Sequence, residues 1–139
     1  DAGSLVTLFM GGNGIGGGMV INGRLWTGAS GYCSEVGFLP VYERLNKGSL
    51  GLPPAEHISE LYARLIQIYA VTVNPHMMVL YRHPLLEGRL DEIRRLCASY
   101  LPSKAIPSIE LSYDYQQDYE KGLFTVAKSM GQAVSEGGL

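Results

Sequence analysis

The sequence predicts one α/β domain over residues 1–139, with a mixed sheet and the element order βββ-α-β-α-β-α. Three apolar segments joined by tight connections open the chain, which is typical of consecutive antiparallel strands. Helical and strand patterns then alternate towards the C-terminus, which favours a sheet covered by helices on both faces. At 139 residues, the chain is long enough to bury a substantial core.

The first three strands are predicted within the first 27 residues. Residues 5–10 and 19–21 are almost entirely apolar and suit two strands. Asn22-Gly23 is a strong signal for a two-residue hairpin turn, after which residues 24–27 return as the partner strand.

A glycine-rich segment connects the first two strands, since five of its seven residues, 12 to 18, are glycine. Glycine has no Cβ and reaches positive φ readily, so we expect a loop whose backbone amides approach an anion. The string Gly12-x-Gly14-x-x-Gly17 also matches a dinucleotide fingerprint, but that motif requires a helix directly afterwards, and a strand signal follows instead. A glycine-rich hairpin without a ligand remains a third interpretation.

The middle of the chain contains an irregular segment and a long helix. Residues 28–53 lack periodicity, apart from a helical turn expected over 41–46. A helix is predicted from about residue 58 until Asn74-Pro75 ends it. Its apolar residues recur at spacings of three and four: Ile58, Leu61, Tyr62, Leu65, Ile66, Tyr69 and Val73.

The C-terminal part predicts two more strands and two more helices. Residues 76–81 contain the apolar run Met77-Met78-Val79-Leu80 and suit a buried strand, whereas residues 108–113 alternate and suit a half-exposed one. Helices are expected over residues 86–101 and 116–134, each with an apolar inner face.

Composition excludes several classes of protein. Eleven basic and thirteen acidic residues give a net charge of −2, and no basic patch is evident, which argues against this domain binding nucleic acid by itself. Two cysteines make no disulfide framework, so we expect a cytoplasmic protein. The sequence has no apolar run of 18 residues, and no membrane association is expected. Because the chain does not begin with methionine and enters a strand almost at once, we expect a piece of a longer protein.

The glycine segment carries a family resemblance. Residues 12–23 resemble the G-T-G-I-G-G-G-I-V-I-N-G segment of the ROK family of sugar kinases and sugar-responsive transcriptional repressors. Residues 28–31 and 34–37 are similar to its G-A-N-G and G-E-I-G-H segments, and weaker matches lie at 63–66, 74–75 and 120–123. The resemblance covers essentially the whole chain as the family's C-terminal half. It implies a ribonuclease-H-like half-domain of the actin-like ATPase and hexokinase superfamily.

The resemblance also implies site residues. Glu35 matches the family glutamate that hydrogen-bonds sugar hydroxyls, and Gly31 lies in the neighbouring matched segment. The catalytic aspartate of the family lies in the other half, so no catalytic residue is expected here. The phosphate-binding residues implied are Gly12, Asn13, Gly14, Ile15, Gly16 and Gly17.

Departures from the family pattern affect the expected cofactors. Phe38 occupies the position of the histidine that helps to bind zinc, and no cysteine cluster follows, so we expect no zinc. Residues 81–84 are Tyr-Arg-His-Pro, where the family has glycines near the nucleotide. Such side chains would obstruct ATP, and we expect no cofactor in this domain unless the full-length protein is a kinase.

These observations favour one function over a second. The first is an effector-sensing and dimerisation domain of a ROK-type transcriptional regulator, which binds a sugar or sugar phosphate and does no catalysis. Such a protein would be a homodimer that contacts DNA through a separate N-terminal domain. The alternative is the C-terminal half of an ATP-dependent sugar kinase, which the retained glycine segment favours.

Overall fold

The computed structural model describes residues 3–12, 14–46 and 51–112. Its five strands form one sheet in the order β3-β2-β1-β4-β5. Strand β1 runs antiparallel to β2 and parallel to β4, and β4 runs parallel to β5, so the sheet is mixed as predicted. The strands are β1 (Ser4–Gly11), β2 (Gly14–Ile21), β3 (Arg24–Leu25), β4 (Met77–Tyr81) and β5 (Ser108–Ser112).

The predicted hairpin between β2 and β3 is confirmed. Asn22 and Gly23 have φ values of 55° and 79°, which is the backbone that a tight two-residue turn requires. Strand β3 is shorter than predicted, although the Trp26 amide still donates to the carbonyl of Met19 at 2.7 Å.

The glycine segment is a strand rather than the loop expected from the sequence. Strand β2 already begins at Gly14, and it pairs with β1 without interruption from there to Ile21. The connection between β1 and β2 is therefore only two residues long. A Cβ added at Gly16 would lie 2.5 Å from the ring of Phe9, so the missing side chain leaves room for a residue of the paired strand.

Within the described residues, three α-helices accompany the sheet: α1 (Pro40–Leu45), α2 (Ile58–Thr72) and α3 (Leu90–Tyr100). Helices α1 and α2 confirm the predictions for those segments. Helix α3 begins four residues later than predicted, because Pro84–Leu86 form a separate 3₁₀ turn and Gly88, with a φ of 73°, interrupts the helical backbone. None of the described helices is long and apolar enough to cross a membrane.

The core lies mainly between the sheet and helices α2 and α3. One face of β1 contributes Val6, Leu8 and Met10 to this cluster, together with Ile93 and Cys97 from α3. A smaller cluster lies on the opposite face of the sheet and contains Leu5, Val20, Val79 and Tyr81. The predicted last helix, 116–134, and the matched segment 120–123 lie outside the described residues, so helical cover of this second face stays a prediction.

Candidate functional site

The turn between β1 and β2 is held by a tyrosine from α1. The amide of Ile15 donates to the hydroxyl of Tyr42 at 3.1 Å, and that hydroxyl donates to the carbonyl of Gly51 at 2.8 Å. Asn46 adds a second hydrogen bond to the same carbonyl, from Nδ2 at 3.3 Å. One of the amides predicted to bind phosphate is thus already engaged by a protein group.

At position 14, the backbone conformation favours glycine, and the neighbouring atoms leave no room for a side chain. The φ of Gly14 is 119°, and a Cβ there would lie 2.5 Å from the Tyr42 hydroxyl and 2.9 Å from the Gly51 carbonyl oxygen. The protein itself therefore fills the space on this side of the turn. Gly12 differs, because a Cβ there would meet nothing within 4 Å. The other predicted turn residue, Asn13, lies outside the described residues.

The middle of β2 contacts the segment that carries Glu35. A Cβ at Gly17 would lie 2.9 Å from the carbonyl oxygen of Ser34 and 3.2 Å from the Tyr69 hydroxyl. Burial raises the pKa of Tyr69, and a side-chain hydrogen bond with Ser34 partly offsets that rise. Glycine at position 17 thus lets the Ser34 backbone and helix α2 approach the strand closely.

Glu35 lines a pocket of about 210 Å³. Ser34 has a φ of 71°, and this left-handed residue turns the chain immediately before Glu35. The Glu35 amide donates to the Tyr32 carbonyl at 3.2 Å, and a 3₁₀ turn, Val36–Phe38, follows. The Glu35 side chain is exposed. The pocket is lined by Tyr32, Ser34, Glu35, Val36, Leu39, Ile68 and Tyr69.

The structure brings together only some of the predicted site residues. Gly17 and Glu35 belong to one region, because Ser34 contacts Gly17 and lines the pocket beside Glu35. Gly31 has a φ of 81° and is exposed, but it does not line this pocket. Gly31 instead lies in the bend of the chain that precedes the pocket residues in sequence.

The residues present do not fit a zinc ion. Phe38 is 77% exposed at the position where the resemblance places a histidine ligand, and a phenyl ring offers no lone pair. Within residues 3–12, 14–46 and 51–112, no three His, Cys, Asp or Glu side chains come close enough to share a metal ion. The Cys33 sulfur lies 3.8 Å from the Ser34 hydroxyl, and both described cysteines, Cys33 and Cys97, are free thiols.

Side chains crowd the C-terminal end of β4, where the resemblance places the nucleotide. Arg82 pairs with Glu87 at 2.9 Å, and the amide of Leu85 donates to Nδ1 of His83 at 3.1 Å. Arg82, His83 and Glu87 help to line a pocket of about 130 Å³. The Arg82–Glu87 pair thus lies at the position that the resemblance assigns to the nucleotide.

Sequence reasoning missed three tyrosines of this region. Tyr42 belongs to a helical turn, 27 residues from the amide that it binds, and no local pattern indicates the contact. Tyr69 was assigned only to an apolar helix face, although its hydroxyl reaches Gly17 and Ser34. Tyr32 was not singled out, although it lines the Glu35 pocket.

The sheet order, the opening hairpin and the described helices form the fold class predicted from the sequence, the ribonuclease-H-like fold, which a solved hexokinase shares. The crystal structure of a ROK hexokinase from Thermus thermophilus matches this chain with a TM-score of 0.55 and 16% sequence identity. The match covers 96% of this chain and 58% of that one, so the chain spans just over half of the matched structure. The likeness shows a ROK-like fold. No family model matches the sequence, and no curated protein matches it.

Proposed function

We propose that this domain senses a sugar or sugar phosphate within a ROK-type transcriptional regulator and does no catalysis itself. The observation that carries the proposal is the position of Glu35, whose exposed carboxylate borders a pocket next to two hydroxyl side chains, Ser34 and Tyr69. A carboxylate accepts hydrogen bonds from sugar hydroxyls, and hydroxyl side chains both donate and accept. The pocket therefore offers polar groups that suit a polyhydroxylated ligand.

The glycine turn supports sensing rather than phosphoryl transfer. A transferring phosphoryl group is stabilised by free, positioned N–H donors. Here the Ile15 amide already donates to Tyr42, and the Tyr42 hydroxyl and Gly51 carbonyl fill the space beside Gly14. A phosphate at this point would have to replace the tyrosine hydroxyl.

Two further features fit a regulator. The Arg82–Glu87 ion pair occupies the end of β4, where an ATP-dependent enzyme needs room for its nucleotide. The net charge of −2 supports DNA contact through another part of the protein, which we propose to be an N-terminal domain, while this domain would form the homodimer. These partners are part of the proposal, as is a cytoplasmic location.

The alternative function is the C-terminal half of a sugar kinase. It is favoured by the likeness to a hexokinase and by Gly12, which is exposed and open to an approaching anion. In that case ATP would be the cofactor, and the catalytic aspartate would come from the preceding half. The full-length protein would then turn over ATP when a hexose is added, whereas a regulator would not.

Titration calorimetry on the full-length protein tests the sugar site. The ligands are D-glucose, D-mannose, D-galactose and N-acetyl-D-glucosamine, each with its 6-phosphate. We expect Glu35→Gln to weaken binding of the preferred sugar by about tenfold or more, because a charged hydrogen-bond acceptor is lost. Glu43→Gln is the matched control, since Glu43 is exposed on α1 and does not line the pocket. Absence of binding by all eight ligands, or equal affinities for both variants, would overturn the proposal.

A further inference from the structure

We infer that Tyr32 is the stacking surface for the sugar ring in this pocket and that Phe38 is the positioning residue that holds the tyrosine there. The inference rests on the proposed function and assigns specificity within the same site. It concerns the face of the sugar that hydrogen bonds to Glu35 do not reach.

The two rings form an exposed pair. Tyr32 is 66% exposed and Phe38 is 77% exposed, yet their ring centroids lie only 5.9 Å apart, with the planes inclined at 54°. This distance falls within the range of centroid separations found for interacting aromatic side chains. Tyr32 lines the pocket and Phe38 does not, so Phe38 contacts the tyrosine from outside the pocket.

Tyr32 and Glu35 are fixed relative to one another by the backbone. The Glu35 amide donates to the Tyr32 carbonyl at 3.2 Å, and the left-handed φ of Ser34 closes the turn between them. The Phe38 amide in turn donates to the Glu35 carbonyl at 3.2 Å. One short hydrogen-bonded segment thus presents a carboxylate and a supported aromatic ring to the same pocket.

This combination matches the chemistry of a pyranose. The edge of a pyranose ring carries hydroxyl groups that can donate hydrogen bonds to a carboxylate. Its C–H face is apolar and packs against an aromatic surface. A large exposed aromatic ring next to polar groups is also the arrangement expected of a binding surface rather than of a scattered surface residue. We therefore expect the Tyr32 ring to discriminate between sugars by the apolar area of the face they present.

Calorimetry with the preferred sugar of the panel tests the two roles separately. We expect Tyr32→Ala and Tyr32→Leu to weaken binding about tenfold, since both remove the aromatic face, and Tyr32→Phe to stay within about twofold. Phe38→Ala is expected to weaken binding about threefold, and Phe38→Tyr to restore it, because the second ring still supports the first. Trp26→Ala is the control, an exposed aromatic residue that does not line the pocket.

The outcomes separate this inference from the function on which it rests. Loss of binding in Glu35→Gln together with unchanged binding in Tyr32→Ala and Tyr32→Leu would overturn the stacking role and leave the sugar site standing. Unchanged affinity in Glu35→Gln, or no sugar binding at all, would end both. The alternative role of the exposed Phe38 ring is contact with a second copy of the chain, and light scattering on Phe38→Ala tests it. Loss of the dimer with unchanged sugar affinity would contradict the inference. Thermal melting confirms that each variant is folded.

Discussion

The Ile15 amide donates to the Tyr42 hydroxyl at 3.1 Å, which fastens the start of β2 to helix α1. Both residues are buried, with 6% and 3% of their surface exposed. Water therefore cannot replace the tyrosine hydroxyl at little cost. The contact determines both how firmly the glycine turn is held and how much of it is free for a ligand.

Tyr42→Phe should destabilise the protein by about 1–3 kcal/mol, since it leaves the buried Ile15 amide without its partner. Urea denaturation measures the loss. Tyr32→Phe is the control, because its hydroxyl belongs to a ring that is 66% exposed, and a change of less than about 0.5 kcal/mol is expected. Equal stability of the two variants would show that the Tyr42 hydrogen bond does not hold the turn.

Gly17→Ala should cost about 1–3 kcal/mol through overpacking. Its new methyl group would lie 2.9 Å from the Ser34 carbonyl oxygen, which is backbone and cannot move without shifting the Glu35 segment. Gly12→Ala is the matched control, with open space around its Cβ, and should change stability by less than about 0.5 kcal/mol. Differential scanning calorimetry on both variants checks this, and a larger loss for Gly12→Ala would be inconsistent with the described packing.

Cys97 should make stability depend on pH in the alkaline range. Burial raises the pKa of this thiol from 9.0 to about 11, and the thiol donates to the carbonyl of Ala63 at 3.9 Å. The unfolded chain loses the proton first, so the stabilising contribution is complete below about pH 9 and falls as the pH rises towards 11. Urea unfolding at several pH values should show a shallower fall for Cys97→Ala than for the natural sequence.

Tyrosine ionisation does not affect the comparison between Cys97→Ala and the natural sequence. Burial also raises the pKa values of Tyr62 and Tyr69, but both residues are present in the natural protein and in the variant. The difference between the two pH profiles therefore reports the thiol. Parallel profiles would mean that Cys97 ionises in the folded protein as readily as in the unfolded chain.

Local signals predicted much of the fold. The Asn22-Gly23 turn, the apolar stripe of α2 and the alternation of β5 each depend on residues close together in the chain, and all three agree with the structure. The glycine segment was assigned wrongly because a strand rich in glycine lacks the side chains that produce a strand pattern. The residues that fill those positions come from elsewhere, such as Phe9 beside Gly16 and Ser34 beside Gly17.

The candidate site was predictable only in part. A family resemblance indicated Glu35, and the structure places it at a pocket. The pocket itself depends on Ile68 and Tyr69 of α2, more than 30 residues further along the chain, and no spacing rule connects them to Glu35. The same holds for the Tyr42–Ile15 hydrogen bond, which arises from the packing of α1 against the hairpin.

The most direct test of the proposed sensing function is the affinity of the full-length protein for DNA from its own promoter region, measured by fluorescence anisotropy with and without the preferred sugar. We predict that the sugar shifts DNA affinity by about fivefold or more in the natural protein, as a typical coupling free energy would, and has no effect in Glu35→Gln. A full-length protein that does not bind DNA, or whose DNA affinity responds to sugar equally with and without the Glu35 carboxylate, would contradict the account.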